Sequence, residues 1–218
     1  MPIAFDAASN GTAVATSLTV AHTCTGSNRI LYAYVQTNTS TDFAVTATYN
    51  GVSMTARTSS FLNSDSNGRQ SNFLLVAPAT GANNIVFTPN ASANMASVNT
   101  SYTGAAQSGQ PDASGTVSSG IVSGGTQTLT FSSVAANTWR ADSAHGAGDL
   151  PNASTGFTSR GVEGNSRGGD SNAALAAGSN SLSVTNSGAG TESVSMIGVS
   201  IAPAAAIGMN LIPLLGTG

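Results

Sequence analysis

The sequence predicts an all-β protein, built as an antiparallel sandwich or barrel. Short stretches of alternating or β-branched residues recur along the chain, and clusters of Gly, Asn, Ser and Pro separate them. This spacing is typical of strands joined by tight turns. No segment shows the apolar period of a confident amphipathic helix. Ser, Thr, Asn, Gly and Ala take the place of charged residues, and Thr in particular suits a pleated sheet.

Eight to eleven strands are expected, and turn residues mark several of the boundaries. Asn50-Gly51 and the segment 25–28 supply the positive φ angles that tight turns need, and Pro78 opens another bend. The predicted strands are 16–23, 29–37, 43–49, 71–77, 84–88, 96–102, 126–132, 139–144, 156–162, 181–185 and 194–202.

The predicted strand 29–37 is apolar on both faces. Leu31 and Val35 point to one side of it, while Tyr32 and Tyr34 point to the other. Such a strand belongs in the middle of a sheet whose outer face is also covered, by a loop or by another subunit. The same pattern recurs at 73–76 and 196–201.

Residues 1–203 are predicted to form a single sandwich domain, and residues 204–218 an apolar C-terminal tail. Two segments, 104–125 and 164–178, are rich in small polar residues and are predicted to be long loops. The tail carries no charge, so we expect it to pack on its own domain or on a neighbouring subunit. Its candidate interface residues are Ile207, Met209, Leu211, Ile212, Leu214 and Leu215.

The chain is poor in charge, which excludes several classes of function. Only 7% of its residues are charged, all six cationic residues are arginines, and the net charge is −3. Neither nucleic-acid binding nor a polybasic membrane patch is expected from so few scattered arginines. No uncharged apolar run reaches the ~20 residues that span a bilayer. The lone Cys24 forms no internal disulfide, and the first residues lack a signal peptide, so synthesis in a host cytoplasm is expected.

Two local groupings are candidates for chemistry. His145 lies near Asp142, Ser143 and Asp149, the only local cluster of Ser, His and Asp, but serine is abundant and no nucleophile elbow accompanies it. His22 and Cys24 would share one face of a strand, yet zinc needs two further ligands. We therefore predict no catalytic residue, no metal site and no cofactor.

Two polar segments allow more than one interpretation. Residues 63–68 imitate the first half of a calcium loop, but Leu74 stands where a bidentate Glu is required; a polar hairpin tip is favoured over a looser calcium site at Asp65. Arg160, Glu163, Arg167 and Asp170 lie close in sequence. A surface ion-pair cluster is the favoured interpretation of these four residues, and a part in an interface is the alternative.

Several segments resemble bacterial and tailed-phage β-sandwich proteins of the jelly-roll or concanavalin-like type. The residues that carry the resemblance are LTVAHTCTGSNRIL (18–31), TYNGVSMT (48–55), FLLVAPATGANNIVFT (73–88), SYTGAAQSGQPDASGT (101–116) and SVSMIGVSIAP (193–203). The resemblance implies an antiparallel jelly-roll sandwich whose first and last strands pair. It supplies no catalytic residue to transfer, and the tail from Ala204 onward departs from it.

The expected function is that of a non-enzymatic structural protein of a tailed-phage virion. A capsid decoration (cement) protein is favoured over a head fibre or a tail protein. Its expected partners are further copies of itself, with a trimer as one expected form, and the major capsid protein or other virion proteins. The alternative is a carbohydrate-binding or adhesion module that uses Trp139 for glycan stacking. An enzymatic function would rest on His145 alone.

Overall fold

The fold is all-β, as predicted. The computed structural model describes residues 1–37, 42–61 and 69–205, and these contain seventeen strands and no helix. The strands are β1 (Ala4–Ala15), β2 (Leu18–Cys24), β3 (Ile30–Thr37), β4 (Val45–Tyr49), β5 (Val52–Ser53), β6 (Thr55–Phe61), β7 (Arg69–Val76), β8 (Gly81–Pro89), β9 (Ala93–Thr103), β10 (Ala113–Ile121), β11 (Thr126–Ser133), β12 (Trp139–Gly146), β13 (Asn152–Ala153), β14 (Thr158–Glu163), β15 (Ser166–Asp170), β16 (Gly178–Thr185) and β17 (Glu192–Ile201).

The first nine strands form a jelly roll, called the first roll below. Pairing is nested and antiparallel: β1 pairs with β9, β2 with β8, β3 with β7 and β4 with β5. This is a long hairpin folded over itself into two sheets, as a jelly roll requires. The inner sheet has the order β1-β9-β3-β7-β6 and the outer sheet the order β2-β8-β4-β5.

The remaining eight strands repeat the same topology and form the second roll. Its inner sheet has the order β10-β17-β12-β15-β14, and its outer sheet the order β11-β16-β13. Strand for strand, β10 corresponds to β1, β12 to β3 and β17 to β9. The chain is therefore two jelly rolls in tandem, and for this reason it has more strands than the eight to eleven expected of one.

The two rolls pack through their inner sheets, so that four sheets are stacked. In this stack β1 lies against β14, β10 against β6, and β3 against β12. When each strand is replaced by its equivalent in the other roll, the β1–β14 contact becomes the β10–β6 contact, and the β3–β12 contact becomes itself. This is the pattern expected of an approximate two-fold axis between the rolls. Each roll has its own core, and a third core, which includes Ile30, Tyr102 and Ile197, fills the space between the inner sheets.

The strands that are apolar on both faces occupy the inner sheets. In β3, Leu31 and Val35 belong to the core of the first roll, whereas Tyr32 and Tyr34 belong to the core between the rolls. The predicted alternation is confirmed. The prediction that a loop or another subunit covers the second face of this strand was wrong, because the other roll of the same chain buries that face.

Both predicted long loops contain a strand. Residues 104–125 include β10, and residues 164–178 include β15. Their glycines are required by close packing: a Cβ at Gly115 would lie 2.6 Å from Phe131, and a Cβ at Gly168 would lie 2.5 Å from Val98. Glycine lowers the intrinsic strand propensity, but here it lets side chains of other strands approach the backbone.

The expected pairing of the first and last strands is wrong for the chain as a whole. Strand β1 pairs with β9, and β17 pairs with β10 and β12. The rule holds within each roll instead. The interpretation of residues 1–203 as one domain stays a prediction, and most of the predicted tail, from residue 206 onward, lies outside the described residues.

Candidate functional site

The two outer sheets contain no charged residue. None of their strands (β2, β4, β5, β8, β11, β13 and β16) includes Asp, Glu, Lys or Arg. Ten of the fifteen charged residues of the chain lie in strands of the inner sheets instead. The two outer sheets, which form the two broad outer faces of the stack, are therefore the sheets that lack charged residues.

The outer face of the second roll is a ladder of hydroxyl groups. Every second residue of β11, from Thr126 to Ser132, is exposed and stands opposite a Ser or Thr of β16. The Thr128 and Ser183 hydroxyls are hydrogen-bonded at 2.9 Å, and those of Thr130 and Ser181 at 2.6 Å. The face is polar and uncharged, with side chains held in regular rows.

Polar side chains cross the core between the two rolls. The Tyr32 hydroxyl is hydrogen-bonded to Ser143 Oγ at 3.2 Å, and the Tyr34 hydroxyl to Ser166 Oγ at 3.3 Å. All four side chains are buried. Buried hydrogen bonds are directional, so these contacts fix the register in which one inner sheet lies on the other.

The predicted grouping around His145 does not form a catalytic triad. Ser143 and His145 point towards the first roll, where Ser143 meets Tyr32. Asp142 points to the opposite face of the same strand and is paired with Arg140. His145 is buried, its Nδ1 is hydrogen-bonded to Ser166 Oγ at 3.2 Å, and burial lowers its pKa to about 4. It is a neutral side chain shielded from solvent at pH 7.

Arg140 and Asp142 form a fully buried ion pair in the second roll. The Arg140 guanidinium also donates to the backbone oxygens of Leu129 at 2.9 Å and Asn180 at 2.6 Å, and stacks 3.9 Å from the centroid of Phe131. Burial raises the pKa of Asp142 to about 6, against the opposing effect of Arg140. Because Arg140 contacts both sheets of the second roll, the pair joins them.

His22 and Cys24 share the inward face of β2, as predicted. His22 Nδ1 is hydrogen-bonded to Ser9 Oγ at 2.8 Å, and burial lowers the His22 pKa to about 4. Cys24 is buried, and burial raises the pKa of its thiol. Within residues 1–37, 42–61 and 69–205, no group of three or more His, Cys, Asp and Glu could hold a metal ion.

The cluster around Arg160 lies at the junction of the two rolls. Arg160 pairs with the buried Asp170 at 2.8 Å, and its guanidinium stacks 4.1 Å from the centroid of Phe5 in the first roll. Asn10 of the first roll donates to Glu163 at 2.8 Å. Arg160 and Glu163 therefore contact the first roll, whereas Arg167 donates to Pro151 O and Ser159 Oγ within the second roll. Whether any of the four lies at an interface with a partner stays a prediction.

Trp139 is half-buried beside an open pocket of about 780 Å³. Its ring makes an edge contact with Tyr102, with the centroids 6.1 Å apart. The pocket walls come from both rolls and include Met1, Ile3 and Pro203. The Asn137 amide and the Trp139 indole N–H are the polar side-chain groups among the described lining residues, so their side chains offer a sugar few hydrogen-bonding groups.

Some predicted positions lie outside the described residues. These are Asp65 with its polar segment and the tail residues Ile207, Met209, Leu211, Ile212, Leu214 and Leu215.

Sequence reasoning missed the polar contacts between the rolls. The signal was present as Gln70 and Asn72, which lie in the polar first half of β7, directly before the segment 73–76 that is apolar on both faces. Gln70 is buried and donates to Ser195 of the second roll, and Asn72 donates to the Tyr32 hydroxyl at 3.4 Å. Polar residues on such a strand indicate a buried partner that carries matching groups.

Comparison with family models, curated proteins and solved structures gives no match. In the part of the chain that the structure describes, there is no helix of the length and apolarity that crossing a membrane requires.

Proposed function

We propose that this chain is a non-enzymatic structural protein of a tailed-phage particle, a decoration protein that binds the capsid surface as an oligomer. The observation that carries the proposal is the absence of charge from both outer sheets. Sheets of soluble monomers usually guard their edges with lysine, proline or inward-pointing charges. A sheet whose face and edge are covered by a permanent partner does not need these protective residues.

The jelly-roll architecture supports the same proposal in a weaker way. Jelly rolls occur in viral capsid proteins and also in lectins, so the fold admits both the favoured function and its alternative. Glycan binding gains little from the described residues, because Trp139 is half-buried and only Asn137 adds a polar side chain beside it in the pocket lining.

The first test is whether the chain is part of a particle. Phage particles are purified from cells that make the chain, washed, and probed with antibodies raised against the purified protein. The proposal expects the chain in the particle fraction, at a ratio to the major capsid protein that stays fixed between preparations. A chain that is abundant in the lysate and absent from washed particles would contradict the proposal.

The second test places a charge on each outer face. Thr19 and Thr130 are exposed residues of the two outer sheets, and Thr19→Arg and Thr130→Arg are compared by light scattering and by particle binding. Ser123→Arg is the matched control, because Ser123 is exposed in a turn outside the sheets. We expect at least one sheet variant to lose self-association or particle binding while the control keeps both. Binding by all three variants would exclude the outer faces as the contact surface.

A further inference from the structure

The edges of the described sheets differ in how they are protected. A sheet edge exposes unpaired backbone groups, and charged side chains, bulges and short strands are common ways to protect it. The edge strands β6 and β14 each contain a charged residue and a bulge, and β5 and β13 are only two residues long. β1 contains Asp6 and a bulge, and Asp6 accepts a hydrogen bond from Thr25 N at the end of the edge strand β2. These six edges therefore offer little to a further strand.

The other two edges lie side by side in the second roll and lack this protection. Strand β10 is an edge of the inner sheet and β11 is an edge of the outer sheet, and neither contains a charged residue or a proline. Both keep an unbroken register with their neighbours, over Ala113–Ile121 and Thr126–Ser133. The Ser119 hydroxyl of β10 donates to Gln127 Oε1 of β11. One side of the second roll is therefore a pair of long, uncharged edges.

The edge of β10 is open to solvent. Ser114, Thr116 and Ser118 are exposed, and Val117, which packs against the core of the second roll, is only partly buried. Within the described ranges, the backbone of residues 113–120 makes hydrogen bonds with β17 alone. Every second residue of such a strand directs its N–H and C=O groups away from its neighbour. β10 therefore presents a row of backbone donors and acceptors that one more strand can bind.

We propose that this row binds the β10 strand of a second copy of the chain. The two strands run antiparallel about a two-fold axis, so that two five-stranded inner sheets join into one. Such a pairing is self-complementary, because a two-fold axis gives each copy the same contacts. β10 already pairs antiparallel with β17, so the added strand continues the hydrogen-bonding pattern of the sheet.

The chemistry of this side favours a second copy over an unlike partner. A charged partner would find no opposite charge on β10 or β11, whereas two uncharged copies meet without repulsion. Asp112, just before β10, is already bound to the backbone N–H groups of Val134 and Ala135. β10 and β11 contribute nine and eight residues, which approaches the roughly 20–30 residues a side of a stable interface. A copy of the same edge thus suits both the charge and the extent of this side.

The inference goes beyond the proposed capsid role and fails separately from it. The dimer forms in solution without any other virion protein, whereas the capsid role is judged by particle binding. Both properties are measured on the same variants.

Opposite charges placed on β10 test the pairing. The unchanged chain should be a dimer by light scattering at micromolar concentration. Thr116→Lys and Thr116→Glu should each have half its molar mass, because Thr116 lies next to the middle of β10 and like charges of two copies would meet there. An equimolar mixture of the two variants should form a dimer again. The matched controls Ser123→Lys and Ser123→Glu change an exposed residue in the turn after β10 and should both stay dimeric.

Three results would overturn the proposal. These are a monomeric unchanged chain, a dimer that survives both changes at Thr116, and a mixture of the two variants that stays monomeric. If the unchanged chain is monomeric and Thr116→Lys abolishes its particle binding, the edge binds a virion partner instead of a second copy. A dimeric chain that binds no particle supports the β10 pairing and contradicts the capsid role.

A measurement without substitution serves if the variants do not fold. Amide hydrogen exchange of residues 113–120 should slow as the protein concentration rises, because pairing protects the outward N–H groups. Exchange in β14, the opposite edge of the same inner sheet, should not depend on concentration. Exchange that is independent of concentration in both strands would also overturn the proposal.

Discussion

The contact between the two rolls can be tested by adding one methyl group to Gly168. This glycine of β15 faces Val98 of β9, and an alanine Cβ would lie 2.5 Å from Val98 Cγ1 and 2.9 Å from Val98 Cβ. Its φ lies outside the left-handed region, so the backbone itself accepts alanine. Either the Val98 side chain or one of the inner sheets must therefore move.

The expected magnitude combines two opposing effects. Alanine in place of glycine in a strand stabilises by roughly 0.5–1 kcal/mol, whereas overpacking a close-packed core costs about 1–3 kcal/mol. We expect Gly168→Ala to lower the free energy of unfolding by about 0.5–2 kcal/mol. For a chain of this size, each kcal/mol lowers Tm by roughly 2–4 °C. Urea unfolding followed by far-ultraviolet circular dichroism measures the change.

Gly120→Ala is the matched control. Gly120 lies in the edge strand β10, and its added Cβ would meet Thr191 at an ordinary 3.6 Å. This variant should be neutral or slightly stabilising. Val98→Ala removes the nearer atom, Cγ1, and so relieves part of the clash, while the Cβ contact at 2.9 Å stays. The double variant with Gly168→Ala should therefore lose less stability than the two single losses added together, by about 1 kcal/mol. If Gly168→Ala is as harmless as the control and shows no coupling to Val98, the described packing of the rolls is refuted.

Three further predictions concern buried groups. Burial lowers the folded-state pKa of His145 from 6.5 to about 4, so its contribution to stability is present above pH 6.5 and is lost as pH falls through about 4. His145→Gln should remove about 3 kcal/mol of this dependence of the unfolding free energy on pH, as measured by unfolding at a series of pH values. An unchanged dependence on pH would contradict burial of the ring. Arg140→Met leaves Asp142 buried without its partner and should cost about 3–5 kcal/mol in chemical denaturation; a cost below about 1 kcal/mol would mean that the site is hydrated. Cys24 should react with a thiol reagent only as fast as the protein unfolds, and rapid labelling of the native protein would place the thiol at the surface.

The sequence carries only a weak trace of the tandem architecture. GANNIVFT (81–88) and GSNSLSVT (178–185) share Gly, Asn and Thr at the same positions, with apolar residues at two others. These segments are β8 and β16, the equivalent strands of the two rolls. Three identities in eight residues, all of types that are abundant in this chain, do not by themselves predict a duplication; the positions of the two strands in their sheets establish the equivalence.

The sequence prediction lacks β1, β5, β6, β10, β13 and β15, and of these the two that lie in the predicted loops share one physical cause. β10 and β15 are rich in Gly and Ser, and neither has enough β-branched residues to predict a strand. Their strand conformation comes from pairing with neighbours and from side chains such as Phe131 and Val98 that rest on the glycines. Local composition contains no information about such neighbours, because they are distant in sequence.

The predicted chemical grouping at His145 was separated by the two-residue period of the strand. Asp142 and His145 are three residues apart, which places them on opposite faces of β12. The two residues are close in sequence, but the extended strand directs their side chains to opposite sides of the sheet.

The sequence by itself determined the all-β class, the inward side of most strands and the positions of several turns. These features depend on the alternation of side chains and on φ angles, both of which are properties of a few consecutive residues. Only the tertiary structure decided that the chain makes two rolls, that each covers the second apolar face of the other, and that charge is confined mainly to the inner sheets and loops. Those features depend on which strands pair with strands that are distant in sequence. That pairing is determined by the total burial and hydrogen bonding of the folded molecule, which no short segment contains.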